Sequence, residues 1–263
     1  MITTMSNLTD AVVPVLESLG RELLRWRTDD AARALHSRKD FKTEADRRAD
    51  AFIKERLAAF FPGVPVWSEE DAAHCSTRPA AYWLIDPIDG TASWYDGFAG
   101  FVTQGAFIAD GVPLAGIIHC PATSQTWTAR SGEGAWCNGR RLERLAPHDR
   151  CVIVDNTPQP HGIAAELVRA LPATGYRESG SLGLKAALVA DGKVDLFVKR
   201  VPVRDWDMAP VAVLLAETGG CLVLPDGQPF GFDGPMEKVG VIVARDAGLC
   251  ARAVSVLTGL PAD

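Results

Sequence analysis

The stretch Trp83-Leu84-Ile85-Asp86-Pro87-Ile88-Asp89-Gly90-Thr91 constrains this chain more than any other. Its short apolar run reads as a buried strand. The run meets a proline, which fixes φ and offers no N–H to a sheet, so the strand is expected to end at Pro87. Asp86 and Asp89 then fall on a turn, and Gly90 admits a backbone conformation that other residues resist. Free N–H groups at Gly90 and Thr91, beside two carboxylates, suit cations and a phosphate together. Three further segments gather acids where elements begin or end. They are DFKTEAD (40–46), SEED (68–71) and DWD (205–207).

Other motif readings of these residues fail. An EF-hand loop starting at Asp86 needs oxygen ligands at its third and fifth positions and Glu at its twelfth, where the chain has Ile88, Gly90 and Gly97. Gly132-x-Gly134 lacks the third glycine of a dinucleotide loop and precedes a strand-like AWC. The five histidines, His36, His74, His119, His148 and His161, show no metal-ligand spacing. None of the six cysteines (75, 120, 137, 151, 221, 250) forms a CxxC pair. Reduced thiols are expected, with Cys120, Cys151 and Cys221 as small buried hydrophobes. Hard, oxygen-only metal binding is the better reading of the acids.

The rest of the chain reads as layered helices and sheets. Apolar residues at helical spacing predict a long helix within 8–35 and a second opening at Thr43-Glu44-Ala45-Asp46 and stopping at FPGVP. Asp110-Gly111 and Asn138-Gly139 are two-residue hairpin signals. From about residue 150 helices alternate with strands. The expected organisation is an antiparallel-rich N-terminal part over residues 1–150, carrying the metal-binding motifs, and a smaller α/β part over 151–263 that completes the site. With 27 Lys+Arg against 33 Asp+Glu and no basic block, a nucleic-acid polymer is not an expected partner. No run is long and apolar enough for a membrane, and no basic region followed by an apolar core suggests a signal peptide, so a cytoplasmic chain is expected.

WLIDPIDGTASW, SEED and KDFKTEAD upstream of it, and DWDMAPVAVLLAETGG downstream resemble the signatures of the inositol monophosphatase superfamily, in the family's order. The resemblance implies an α/β (α+β) fold, a layered αβαβα sandwich. It implies Mg2+-dependent hydrolysis of a small-molecule phosphate monoester with two or three ions, lithium inhibition in many members, and frequent homodimers. Carried over by position, the metal ligands fall on Glu69, Asp86, the carbonyl of Ile88, Asp89 and Asp207. The pair that activates the attacking water falls on Asp46 and Thr91. The phosphate falls on backbone N–H groups of Gly90, Thr91 and Ala92. Ser181 and Lys185, in GSLGLK, match the block on the pocket side of the fold. A lysine there is similar to the bisphosphate-nucleotidase branch. Arg200 stands where inositol phosphatases place an acid, which favours a substrate with an extra anionic group, adenosine 3′,5′-bisphosphate prominent among them. An inositol, histidinol or sugar monophosphate is the alternative ester.

Plainer roles compete with each of these. Asp46 can complete a capping box with Thr43. Glu69 and Glu70 can form a solvated acidic turn, and Asp205 and Asp207 can complement a helix dipole, Asp205 being expected to cap the helix or to stand behind the metal ligands. The tryptophans are most simply core or pocket-wall aromatics, although Trp94 departs from the family's usual residues after DGT. A non-catalytic metal-binding regulatory protein on the same scaffold is the alternative of another class.

Overall fold

Leu8, Val12, Leu16, Leu19 and Leu23 recur at helical spacing and are all buried, which places one face of helix α1 (Met5–Trp26) on the protein interior. The computed structural model describes residues 5–37, 41–71 and 77–259; Asp40, His74 and Cys75 lie outside the described residues. Helix α1 ends well before residue 35, because Thr28 and Asp29 turn the chain with backbone bonds to Arg25 and Trp26.

Strands β1 (Leu35–Ser37) and β2 (Lys42–Thr43) lead into helix α2 (Glu44–Phe60), which begins where the capping residues place it. Then follow β3 (Val66–Ser68), β4 (Ala81–Asp89) and the single turn α3 (Thr91–Tyr95). A meander comprises β5 (Val102–Ala109), β6 (Val112–Cys120), β7 (Gln125–Arg130), β8 (Gly134–Cys137) and β9 (Arg140–Arg141). The alternating part contains β10 (Val152–Asp155), α4 (Ile163–Ala170), β11 (Gly175–Glu178), α5 (Leu182–Ala190), β12 (Leu196–Lys199), β13 (Val203–Arg204) and α6 (Asp205–Thr218). It closes with β14 (Cys221–Val223), β15 (Glu237–Lys238), β16 (Val241–Ala244) and α7 (Ala247–Thr258). Both hairpin dipeptides take left-handed φ at their two residues, 48° and 75° at Asp110-Gly111 and 48° and 76° at Asn138-Gly139, the twist that tight hairpins need.

Two sheets form the frame. The larger runs β3-β4-β5-β6-β7-β8-β9, parallel at β3–β4 and antiparallel elsewhere; the smaller runs β11-β10-β12-β16-β14. Successive side chains of a strand face opposite ways. Trp83 and Ile85 therefore pack with α1 and α2, while Tyr82 and Leu84 pack with α5 and α6. Helices α5 and α6 also meet Val154, Phe197 and Val243 of the smaller sheet. The other side of that sheet, with Ile153, Leu196 and Ile242, receives α4 and α7. The result is helix, sheet, helix, sheet, helix, as expected.

The five described cysteines are free. Cys120 and Cys151 are buried as expected, whereas Cys221 is only partly so. No helix among the described residues is long and apolar enough to cross a membrane.

Candidate active site

Strand β4 does not stop at Pro87. It continues to Asp89 with a register shift, Asp86 lying opposite Gln104 and Asp89 opposite Val102. A bulge tolerates proline because the missing N–H sits where the ladder is already interrupted. It also re-aims the two acids. Residues three apart on an unbroken strand face opposite ways. The inserted residue turns Asp86 and Asp89 to a common side, and Ile88 N–H donates to Asp86 Oδ1 at 3.1 Å.

Gly90 follows with φ 90° and ψ 42°, the left-handed conformation. A Cβ there would also lie 3.3 Å from Ser181, so the position demands glycine twice over. The turn delivers Thr91, whose Oγ1 lies 2.9 Å from Asp46 Oδ1 and 3.0 Å from the Ile88 carbonyl. The other Asp46 oxygen accepts from the Thr43 N–H at 2.8 Å and the Thr43 hydroxyl at 2.7 Å. Asp46 thus closes the first turn of α2 and also meets Thr91. Burial raises its pKa against the pull of the Thr43 and Thr91 hydrogen bonds.

Asp207 arrives from α6, its Oδ2 accepting from the Arg204 N–H at 2.7 Å. Carboxylate oxygens of Asp86, Asp89 and Asp207, all buried, lie within 4.8 Å of one another. Parallel pairing of β3 with β4 brings Glu69 to the edge of this group, its carboxyl meeting that of Asp86. Glu70 instead pairs with Lys42 at 3.0 Å. Burial, and then the charges of Glu69, Asp89 and Asp207, push Asp86 well above the usual carboxylate range. Burial and then Asp89 do the same to Asp207. Glu69 is pushed up to about 7, by burial first, with Lys42 opposing and Glu70 adding to the shift.

Asp89 is held differently. Ser181 Oγ donates to it at 2.6 Å, Gly183 N–H at 2.6 Å and Leu182 N–H at 3.1 Å. Asp89 therefore caps α5 from 92 residues upstream of Ser181. The Ser181 hydroxyl is committed on both sides, since it also accepts from Leu184 N–H at 2.9 Å. Lys185 is 2 % exposed, with its ammonium 3.5 Å from the Ser179 carbonyl and 5.1 Å from the centre of the Phe197 ring. Burial, then Lys199, lowers its pKa to about 8. It faces the interior behind α5 rather than open solvent. Arg200 lies one residue past β12 with its Cα against Gly240. Ala92 is exposed on α3, whereas Trp94 is buried and donates from Nε1 to the Leu23 carbonyl at 2.7 Å, a core role.

Two features escape local sequence reasoning. Asp205 is fully buried and ion-paired with Arg78 at 2.5 Å and with Lys238. Its partners lie far away in the chain, and no local spacing announces them. Gln104 Nε2 lies 3.4 Å from Asp89 Oδ2 and 3.1 Å from the Trp206 carbonyl. A lone amide within the apolar run FVTQGAFIA was the available signal.

An oxygen-only donor set, buried and crowded with carboxylates, fits a hard divalent cation.

The family described as the inositol monophosphatase family matches residues 5–258. A 3′(2′),5′-bisphosphate nucleotidase CysQ of Aggregatibacter actinomycetemcomitans is 35% identical over 73% of this chain and 74% of its own length. A fructose-1,6-bisphosphatase/inositol-1-monophosphatase of Thermotoga maritima is 31% identical over 80% of this chain and 82% of its own. The crystal structure of extragenic suppressor protein suhB from Bartonella henselae superimposes with a TM-score of 0.82 at 26% identity, covering 96% of this chain and 98% of that one. The chain belongs to the inositol monophosphatase family.

Proposed function

We propose, from that membership, that this protein hydrolyses a small-molecule phosphate monoester by direct attack of water, with Mg2+ as cofactor. The convergence of Asp86, Asp89 and Asp207 within 4.8 Å carries the reading. Glu69, Asp86, Asp89, Asp207 and the Ile88 carbonyl would hold the ions. When bound, Mg2+ supplies a lowered pKa for the attacking water and neutralising charge for the leaving oxygen.

The remaining steps belong to the chain. A hydroxyl has one proton to donate, so Thr91 can serve either the Ile88 carbonyl or Asp46 at one time. Directed at Asp46 Oδ1, 2.9 Å away, it would leave an Oγ1 lone pair to accept a proton of the water. As that proton moves to Thr91, the Thr91 proton moves to Asp46, whose raised pKa suits it as the acceptor. The two Thr43 bonds hold Asp46 still during the exchange. Amides of Gly90, Thr91 and Ala92 would orient the phosphate. A phosphoryl transition state asks mainly for positioning and charge neutralisation, so no nucleophilic side chain is required.

For the ester, the favoured substrate carries an additional anionic group, adenosine 3′,5′-bisphosphate in first place. Similarity to the CysQ nucleotidase and the cation at Arg200 support it. Lys185 supports it less, since its ammonium is turned inward. The name of the Thermotoga relative favours an inositol or sugar phosphate as the second reading. A panel of adenosine 3′,5′-bisphosphate, inositol 1-phosphate, histidinol phosphate and fructose 1,6-bisphosphate, with and without Mg2+, decides. The bisphosphate nucleotide is expected to lead in kcat/KM by about tenfold, the worth of one added charge-assisted contact. Equal rates would remove the extra-anion preference. Absence of Mg2+-dependent phosphate release from every ester would favour the non-catalytic, metal-binding alternative.

A further inference from the structure

Helix α6 contains a proline in its interior, Pro210, and it is buried. Proline has no N–H, so the carbonyl four residues earlier loses its helical partner. That carbonyl belongs to Trp206, the residue between Asp205 and Asp207. A buried carbonyl without a partner is costly. Helix α1 faces the same problem at Pro14, but that position is exposed and water can serve. In α6 the Gln104 amide takes the vacant place, donating to Trp206 O at 3.1 Å.

The same nitrogen lies 3.4 Å from Asp89 Oδ2. An amide NH2 carries two hydrogens, so one group can face both acceptors. Gln104 is fully buried and sits on β5 directly opposite Asp86. Its Oε1 has no hydrogen-bond partner among the described residues and presses on Gly183, where a Cβ would lie only 2.2 Å away. Gly183 in turn donates to Asp89. Beta strand β5, helix α5 and helix α6 therefore meet at one side chain, placed between two acids of the cluster.

We propose that Gln104 is a positioning residue that replaces the N–H removed by Pro210 and so fixes the first turn of α6, with Asp207, against Asp89. Its role is to hold two carboxylates at the separation a divalent cation requires, without touching cation, water or ester. This rests on the reading above that Asp89 and Asp207 hold Mg2+.

The test is calorimetric titration of the full chain with Mg2+ in the absence of substrate, alongside Mg2+-free melting curves. Gln104→Met keeps the volume and removes the donors. It is expected to weaken Mg2+ binding by about tenfold, the low end for residues that orient metal ligands. Pro210→Ala restores a backbone donor to Trp206 O. In that background the same Gln104→Met change is expected to weaken binding by less than about threefold, the coupling expected of groups sharing one acceptor. A residue that only packs would lower the melting temperature and leave Mg2+ affinity alone. Affinity of Gln104→Met within about twofold of wild type, or an equal loss in both backgrounds, overturns the proposal. Should Gln104→Met not fold, Gln104→Asn is read in its place, because its shorter amide reaches neither acceptor and the same loss is expected. A wild-type chain that binds no Mg2+ overturns the metal reading itself, a result distinct from either outcome for Gln104.

Discussion

Two sets of buried acids in this protein are treated in opposite ways. Asp155 meets Lys199 at 2.5 Å, Asp195 meets Arg245 at 2.5 Å, and Asp205 meets both Arg78 and Lys238. Asp86, Asp89 and Asp207 have no Lys or Arg in ion-pair contact among the described residues, and Asp86 has Glu69 against it. Asp205 and Asp207 are two positions apart on one helix, so the difference is not one of location. Burial raises the pKa of both, but around Asp205 the neighbouring charges pull it down, whereas around Asp207 Asp89 and Glu69 push it further up against the pull of Arg204. The chain neutralises buried carboxylates where they hold the fold together and leaves unneutralised those that, on the function proposed above, a cation would neutralise.

Changing aspartate to asparagine in each set gives the sharpest contrast. Asp86→Asn is expected to reduce turnover by about 10²–10³-fold, as loss of one charge-stabilising group does. It should also raise the melting temperature of the Mg2+-free protein, because it relieves repulsion, and abolish the further rise on adding Mg2+. Melting curves in chelator and in millimolar Mg2+ check this, and a drop in the Mg2+-free melting temperature would break the comparison. Asp205→Asn should instead destabilise the fold by about 3 kcal/mol, with or without Mg2+, because it strands two cations. Denaturant unfolding measures that, and a change under about 0.5 kcal/mol would place Asp205 with ordinary surface acids.

The smallest expected effect is a pH dependence. Glu69 keeps its proton in the fold up to about pH 7, whereas the unfolded chain releases it near 4.5. The folded state then binds more protons across that window. Its contribution to Mg2+-free stability is complete below about pH 4.5 and is lost as pH rises through about 7. Allowing for solvent screening, this amounts to about 1–2 kcal/mol. Glu69→Gln should remove that share of the slope, as should saturating Mg2+. Identical pH profiles for wild type and Glu69→Gln in chelator would show that Glu69 stands apart from the cluster.

Much of this arrangement was legible because local chemistry announced it. Asp86, Asp89, Gly90 and Thr91 are adjacent in sequence, and a proline and glycine around paired acids leave few conformations. The hairpin dipeptides and the start of α2 were legible for the same reason. What escaped depends on tertiary contact. Pro87 predicts a strand end, and the bulge that keeps it in the sheet exists only because β5 is there to pair with. Lys185 reads as a pocket cation, and its burial follows from packing against Phe197. The partners of Asp205 come from positions 78 and 238, which no spacing rule connects.

The cap that Asp89 provides for α5 reaches across 92 positions of the chain to Ser181. A chimaera spliced from two relatives anywhere between Gly90 and Ser181 would take this carboxylate from one parent and the amides it satisfies from the other. Recombination within that interval must therefore preserve the seam as a unit, whatever freedom the loops around it allow.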